Sequence, residues 1–251
     1  MSLEAMNLFS QHRDRVDLPS ADFSYHLNRL QQFFKVLVGK DRFLGEWYLT
    51  GENLNDALRF PVYGKDHHPL KTAIEELDKK CQGKNSDDNK IISLWNGAVD
   101  QKDGASLTIS IDGGNILPRM IDFNVKESRK GYSRLGDYQS VAEVISKVAD
   151  IYGSFYVSYG PRKYVSKKVF PDRLGVSWML YLPRVLTTTQ VPEARALIPV
   201  ESMLDGRRLG TIIVSETEGA FDVSNPEHVD VANAIEIRLA DQDLLPRFID
   251  L

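Results

Sequence analysis

The 251-residue sequence predicts an α+β fold, a mainly antiparallel sheet with N-terminal, central and C-terminal helices packed on it. Two observations predict it. Segments rich in β-branched and aromatic residues follow one another in groups, without the strict strand–helix alternation of a doubly wound sheet. Helical periodicity is confined to the two ends and the middle of the chain. A hydrophobic content of 42% and a charged content of 26% are those of a globular protein able to bury a core.

The first periodic segment runs from Ser20 to Val38, where Phe23, Leu27, Leu30, Phe34 and Leu37 recur at steps of four and three. Ser20 stands at the N-cap, Asp22 faces the helix dipole in the first turn, and Gly39 follows the end. His26, on the flank of the stripe, reads as a packed core-edge residue. Leu44–Thr50, with Trp47 and Tyr48, has strand character. Asn53–Leu58 reads as one helical turn. Pro69–Cys81 reads as a helix with Pro69 at its start and Leu70, Ala73, Ile74 and Leu77 inward.

The polar run Gln82–Lys90 is a loop, and three strands follow at Ile91–Trp95, Ser106–Ile111 and Met120–Val125. The tight Asp112-Gly113-Gly114-Asn115 link favours antiparallel pairing of the last two. Tyr138–Tyr152 is a helix, with Ser140 or Asp137 as its cap. Ser154–Tyr159 is a strand, Gly160–Lys168 a basic loop, and Ser177–Leu182, Leu197–Glu201 and Gly210–Ser215 are further strands. A last helix begins at Asn225-Pro226 and runs to Ala240, and Leu244-Leu245-Pro246 ends the ordered chain. Neither an internal repeat nor a convincing linker divides the sequence. One domain over 1–251 is expected, with residues 1–19 as a flexible N-terminal segment.

Charge is segregated. No lysine follows Lys168, and from Val169 to Leu251 there are 13 acidic residues against seven arginines. The preceding stretch holds 22 acids against 24 bases, so the last third carries all of the net charge of −4. An acidic face suits a basic protein partner better than nucleic acid or anionic lipid. Cys81 is the only cysteine, which excludes an intramolecular disulfide and a cysteine-tetrad zinc site. The N-terminus lacks the basic start and apolar run of a secretory signal, and no stretch approaches the ~18 apolar residues of a membrane span. A cytoplasmic protein without membrane contact is expected.

Catalytic signatures are missing: no Walker loop, no G-x-G-x-x-G, no H-E-x-x-H and no G-x-S-x-G elbow. His67-His68 before Pro69 reads as an exposed pair, and Glu216 with Glu218 as surface acids. The expectation is a binding protein, not an enzyme, with no cofactor and no metal. Two segments could bind. Tyr159, Arg162, Lys163, Tyr164, Lys167, Lys168 and Phe170 combine cations with aromatics, the pattern of a nucleic-acid-binding module, although a solvated loop explains it as well. The stronger candidate is the acidic C-terminal block. Glu216, Glu218 and Asp222 lie in the loop before the last helix. Val229, Ala232, Ile235 and Leu239 point inward on that helix, while Glu227 and Asp230 lie on its polar side, with Ile237 beside them as an apolar contact within a charged rim.

The stretches Leu209–Ser215, Phe221-Asp222 and Asn225–Val229 resemble the C-terminal signature of the immunity protein 52 family of bacterial polymorphic toxin systems. Gly45–Leu49 before Ala57-Leu58, Ser93–Gly97 and Ser177–Pro183 fit as well, so the resemblance spans Phe33 to Pro246. It is similar to the TsiT-type immunity proteins of type VI secretion. The resemblance implies a stoichiometric inhibitor of a cognate toxin, with a restriction-endonuclease-fold nuclease as the toxin. A nuclease presents a basic surface to phosphates, which an acidic inhibitor can mimic. The family pattern transfers no inhibitory residues, so the site rests on surface charge: Glu216, Glu218, Asp222, Glu227, Asp230 and Ile237.

Overall fold

A computed structural model describes residues 4–13, 23–81, 89–112, 118–127 and 129–251. Ser20, Asp22, the polar run from 82 to 88 and the Gly113-Gly114-Asn115 link lie outside the described residues. Among the described residues nine strands form one antiparallel sheet: β1 (Glu4–His12), β2 (Tyr48–Leu49), β3 (Asn89–Trp95), β4 (Ala105–Asp112), β5 (Arg119–Glu127), β6 (Tyr156–Pro161), β7 (Met179–Leu182), β8 (Ala196–Glu201) and β9 (Arg208–Val214). Their order is β2-β3-β4-β5-β1-β6-β7-β9-β8. The helices are α1 (Phe23–Val38), α2 (Leu54–Ala57), α3 (Lys71–Lys80), α4 (Tyr138–Tyr152) and α5 (Pro226–Asp241). This is the α+β architecture the sequence predicts.

The fold corrects the reading of the N-terminus. Glu4–His12 falls within residues 1–19, expected as a flexible N-terminal segment of the domain, yet β1 is the middle strand of the nine described. It pairs with β5 from Glu4↔Glu127 to His12↔Arg119 and with β6 from Met6↔Pro161 to Gln11↔Tyr156. Met6, Leu8, Ser10 and His12 point to the buried face, where Ser10 Oγ donates to Ser154 Oγ at 2.8 Å. Two polar residues in that alternation hide the strand from a hydrophobicity pattern.

Opposite residues of an antiparallel pair share a face. Leu8, Phe123, Leu107 and Leu94 therefore line one face, as do Ile121, Ile109 and Ile92 one step along. All are buried, and Phe33 of α1 meets Phe123 edge-on at 5.4 Å. The alternating residues Asn7, Phe9, Ser106, Thr108, Asp122 and Asn124 keep partial or full exposure. An antiparallel sheet tolerates that asymmetry because only one face must be covered.

Two further boundaries differ from expectation. Leu44–Thr50 is not one strand: a 3-10 turn at Arg42–Leu44 precedes a two-residue β2. Trp47 turns into the core instead, stacked on Phe34 at 4.7 Å with its Nε1–H donated to the Leu44 carbonyl. Pro69 precedes α3 by two residues and bridges to Tyr63, leaving Leu70 as the cap. By contrast α4 starts at the Asp137 cap, whose carboxylate accepts from Ser140 N–H, and ends at Gly153 in the left-handed region (φ 57°). The chain also stays ordered past Pro246, with a 3-10 turn at Phe248–Asp250.

Leu8→Ala should cost about 2–5 kcal/mol because it opens a cavity at the centre of the core. Ile91→Ala, at a 44%-exposed side chain of β3, should stay within about 0.5 kcal/mol. Urea unfolding of the two variants measures both values, and equal costs would contradict the assigned faces.

Candidate partner-binding surface

The six residues singled out by charge divide into two groups. Glu216 and Asp222 are folded into the loop that leads from β9 to α5. The Glu216 side chain is 14% exposed and both its oxygens are engaged: Oε1 accepts from Glu218 N–H at 2.6 Å, and Oε2 lies 3.2 Å from His228 Nε2. His228 Nδ1 accepts from the Asp222 backbone N–H at 3.0 Å, so a neutral ring carries its proton on Nε2, toward Glu216. Asp222 accepts from Ser224 N–H at 2.8 Å and from Ser224 Oγ at 2.6 Å. The Ser224 hydroxyl, with Lys130 at 3.5 Å as a lesser cause, holds its carboxyl below the usual carboxylate range. One histidine thus ties the two acids together.

The rest of the loop is equally fixed. Trp178 Nε1 donates to the Glu216 carbonyl at 2.9 Å, and Ser215 Oγ to the Ser177 carbonyl at 2.6 Å. Lys130 Nζ donates to Ser224 Oγ at 2.7 Å, which fastens the segment around residue 130 to the loop. These bonds set the direction in which α5 leaves the sheet. Asn225 caps the helix by accepting from Glu227 N–H, and Pro226 occupies its first turn.

Glu218, Glu227, Asp230 and Ile237 face outward. Glu227 is 77% exposed with Arg195 at 3.7 Å, and Ile237 is 45% exposed. Asp230 and Ile237 are seven residues apart and Glu227 is three before Asp230, so the three lie along one side of the helix. Glu218 is exposed on the preceding loop. Two exposed acids thus precede an exposed apolar side chain along one side of the helix, Asp230 by about two turns and Glu227 by nearly three.

On the inward face Ala232, Ile235 and Leu239 are buried as expected, and so is Glu236, which the charge reading passed over. Its Oε1 accepts from Tyr164 Oη at 2.6 Å and Val176 N–H at 2.8 Å, and its Oε2 from Val169 N–H at 2.8 Å. Burial raises its pKa, while these donors oppose the shift. The signal was present in the spacing: Glu236 stands four residues after Ala232 and three before Leu239, inside the apolar stripe.

The basic and aromatic segment is bound to the same network. Tyr159 and Tyr164 are buried, so neither ring can stack on a base. Arg162 forks onto Asp122 Oδ2 at 2.8 Å and Oδ1 at 2.9 Å and also meets Asn124. Lys163 and Lys167 remain exposed. The 3-10 turn Arg162–Ser166 is a brace between the sheet and α5.

A second buried carboxylate lies nearby. Glu127, at the end of β5, accepts from Arg134 N–H at 3.0 Å and Ser133 Oγ at 3.2 Å, and Ser133 Oγ also lies 3.3 Å from Tyr159 Oη. Burial pushes the Glu127 carboxyl up to about 7, more than these donors can offset. Its folded pKa is above its unfolded value of 4.5. Its stabilising contribution is therefore full below that value and lost as pH rises through about 7. Stability should fall between about pH 5 and pH 8 by this route, and Glu127→Gln should flatten that part of the profile. Urea unfolding of both forms across the range measures the difference, and parallel profiles would contradict it.

No helix among the described residues is long and apolar enough to cross a membrane. No curated protein matches the sequence. Among solved structures, the Pseudomonas aeruginosa T6SS protein PA0821 superposes with a TM-score of 0.52 at 11% identity, over 93% of this chain and 76% of that one. At that identity the likeness concerns the fold. The family model for immunity protein 52 matches residues 23–247, from the start of α1 to beyond α5. The chain belongs to the immunity protein 52 family.

Proposed function

We propose that this protein neutralises a cognate secreted toxin in the cytoplasm by stoichiometric binding, and that the toxin is a restriction-endonuclease-fold nuclease delivered by a type VI or related secretion system. Membership of an immunity-protein family supports inhibition of a toxin, and the fold shared with a T6SS protein supports that setting. The observation that carries the choice of surface is the exposed side of α5. Glu227 and Asp230 stand there in solvent on the same side as half-exposed Ile237, two to three turns before it, on a helix whose approach is fixed by hydrogen bonds. Acids facing a phosphate-binding surface accelerate encounter, and a central apolar side chain slows dissociation. The chain acts by occupying the toxin and turns over no substrate.

Glu216 and Asp222 contribute to that surface by shaping the loop, Glu218 by its exposed charge. Co-expression with the toxin-like product of the neighbouring gene should rescue growth, and the two proteins should co-purify. Reversal of Glu218, Glu227 and Asp230 to lysine should slow association about tenfold and flatten its salt dependence. Ile237→Ala should act on dissociation instead. Biosensor kinetics over a salt series separate the two effects. Unchanged association in the triple variant would move the interface elsewhere, and a mobility shift of free DNA by the wild-type chain would favour a nucleic-acid-binding module.

A further inference from the structure

The two inward acids of the loop between β9 and α5 meet one side chain that can change charge near neutral pH. His228 lies in the first turn of α5, its side chain 17% exposed and its ring 5.6 Å from that of buried Phe221. Nδ1 accepts from the Asp222 backbone N–H at 3.0 Å, and Nε2 lies 3.2 Å from Glu216 Oε2. A ring nitrogen that accepts carries no proton, so the single proton of the neutral ring sits on Nε2 and points at Glu216.

The two contacts respond to charge in opposite ways. A second proton can enter only at Nδ1, where it faces the Asp222 N–H, donor against donor, and that hydrogen bond is lost. The other contact survives and strengthens, because the imidazolium Nε2–H still donates to the Glu216 carboxylate. The Asp222 carboxylate is already occupied by Ser224 N–H and Oγ. Protonation therefore frees the chain at Asp222 while it grips the chain at Glu216.

Charged groups approach this ring from three elements. Glu216 and Asp222 belong to the loop. Glu227 precedes the ring on α5 but is turned to solvent, with Arg195 at 3.7 Å. Lys130 comes from the segment before α4 and lies 3.5 Å from Asp222 Oδ2. Ser224 foremost holds the Asp222 carboxyl below the usual carboxylate range, so it stays ionised where a histidine changes charge, between about pH 5 and pH 8. Glu127, pushed up to about 7 by burial, titrates in that same range. It reaches the loop through the segment that also holds Arg134, where the Gly131 carbonyl accepts from Ala220 N–H at 3.3 Å.

We propose that His228 is a proton-operated latch on the loop before α5. With the ring neutral, the latch is closed and both ends of the loop are tied. In acid it keeps Glu216, releases Asp222, and frees the stretch that follows exposed Glu218. The link to regulation rests on the toxin-binding reading of this surface, but the latch is a property of the free chain. Its test needs no toxin, and its failure leaves that reading untouched.

NMR of the full chain between about pH 5 and pH 8 follows the His228 ring and the exchange protection of the Asp222 amide, corrected for intrinsic rate. Protection should fall about tenfold on acidification, the factor carried by one ordinary hydrogen bond, with the midpoint of the ring titration. His228→Asn places a non-titrating oxygen where Nδ1 stands, so it should keep the Asp222 amide protected at every pH. His228→Gln places its amide at the position of Nε2, so it should lose that protection at every pH. Glu127→Gln should leave the Asp222 titration as in the wild type. If the His228 variants fail to fold, the wild-type midpoints and Glu127→Gln still decide the matter. Constant Asp222 protection while the ring titrates, an acid-induced loss in folded His228→Asn, or abolition of the change by Glu127→Gln would overturn the proposal.

Discussion

The structure depends on the double pairing of one strand. β1 joins β2–β5 on one side to β6–β9 on the other, through nine register positions with β5 and six with β6. Without it β5 and β6 would each present a row of unpaired N–H and C=O groups, and the sheet would end as two smaller ones. Its buried side chains Met6, Leu8, Ser10 and His12 lie on the face that α1 and α4 cover, so the same strand closes the ladder and fills the middle of the core. The arrangement of the Glu127 network follows from that closure. Glu127 ends the strand beside β1 on one flank, and Tyr159 enters from the strand on the other.

Charge is used in two ways within a short stretch of chain. Glu216, Asp222 and Glu236 lie close to Glu218, Glu227 and Asp230 in sequence, but the first three accept hydrogen bonds that hold the loop and the helix. A carboxylate that accepts two or three donors can be kept away from water, and it is then unavailable to a partner. The exposed acids carry no such obligation. A count of negative residues cannot tell the two kinds apart, although helical spacing can where it applies, as at Glu236.

How much was legible follows from which forces were local. The α4 helix is readable end to end, because Asp137, the apolar repeat and Gly153 all act within the element. The last helix and most strands are found within one to three residues for the same reason. β1 was not legible, since its inward positions include Ser10 and His12 and its partners lie more than a hundred residues away. β2 was overestimated because Trp47 carries β propensity but is drawn inward by Phe34. The outward side of α5 could be drawn from the sequence alone. The histidine that locks the loop beneath it could not, because Glu216 and Asp222 meet at His228 only after the chain has turned.

The position of β1 also sets an order of assembly. Among the described strands this one comes first in the chain, yet its two neighbours begin at Arg119 and Tyr156, so the ribosome must add well over a hundred residues before both exist. At ~5–20 residues per second that is roughly 7–30 seconds before both edges of the strand can be paired. Pairings of such sequence separation also carry a large loop-closure cost and fold slowly for their size. A newly made copy therefore completes its central ladder only after the residues of β6 have been added.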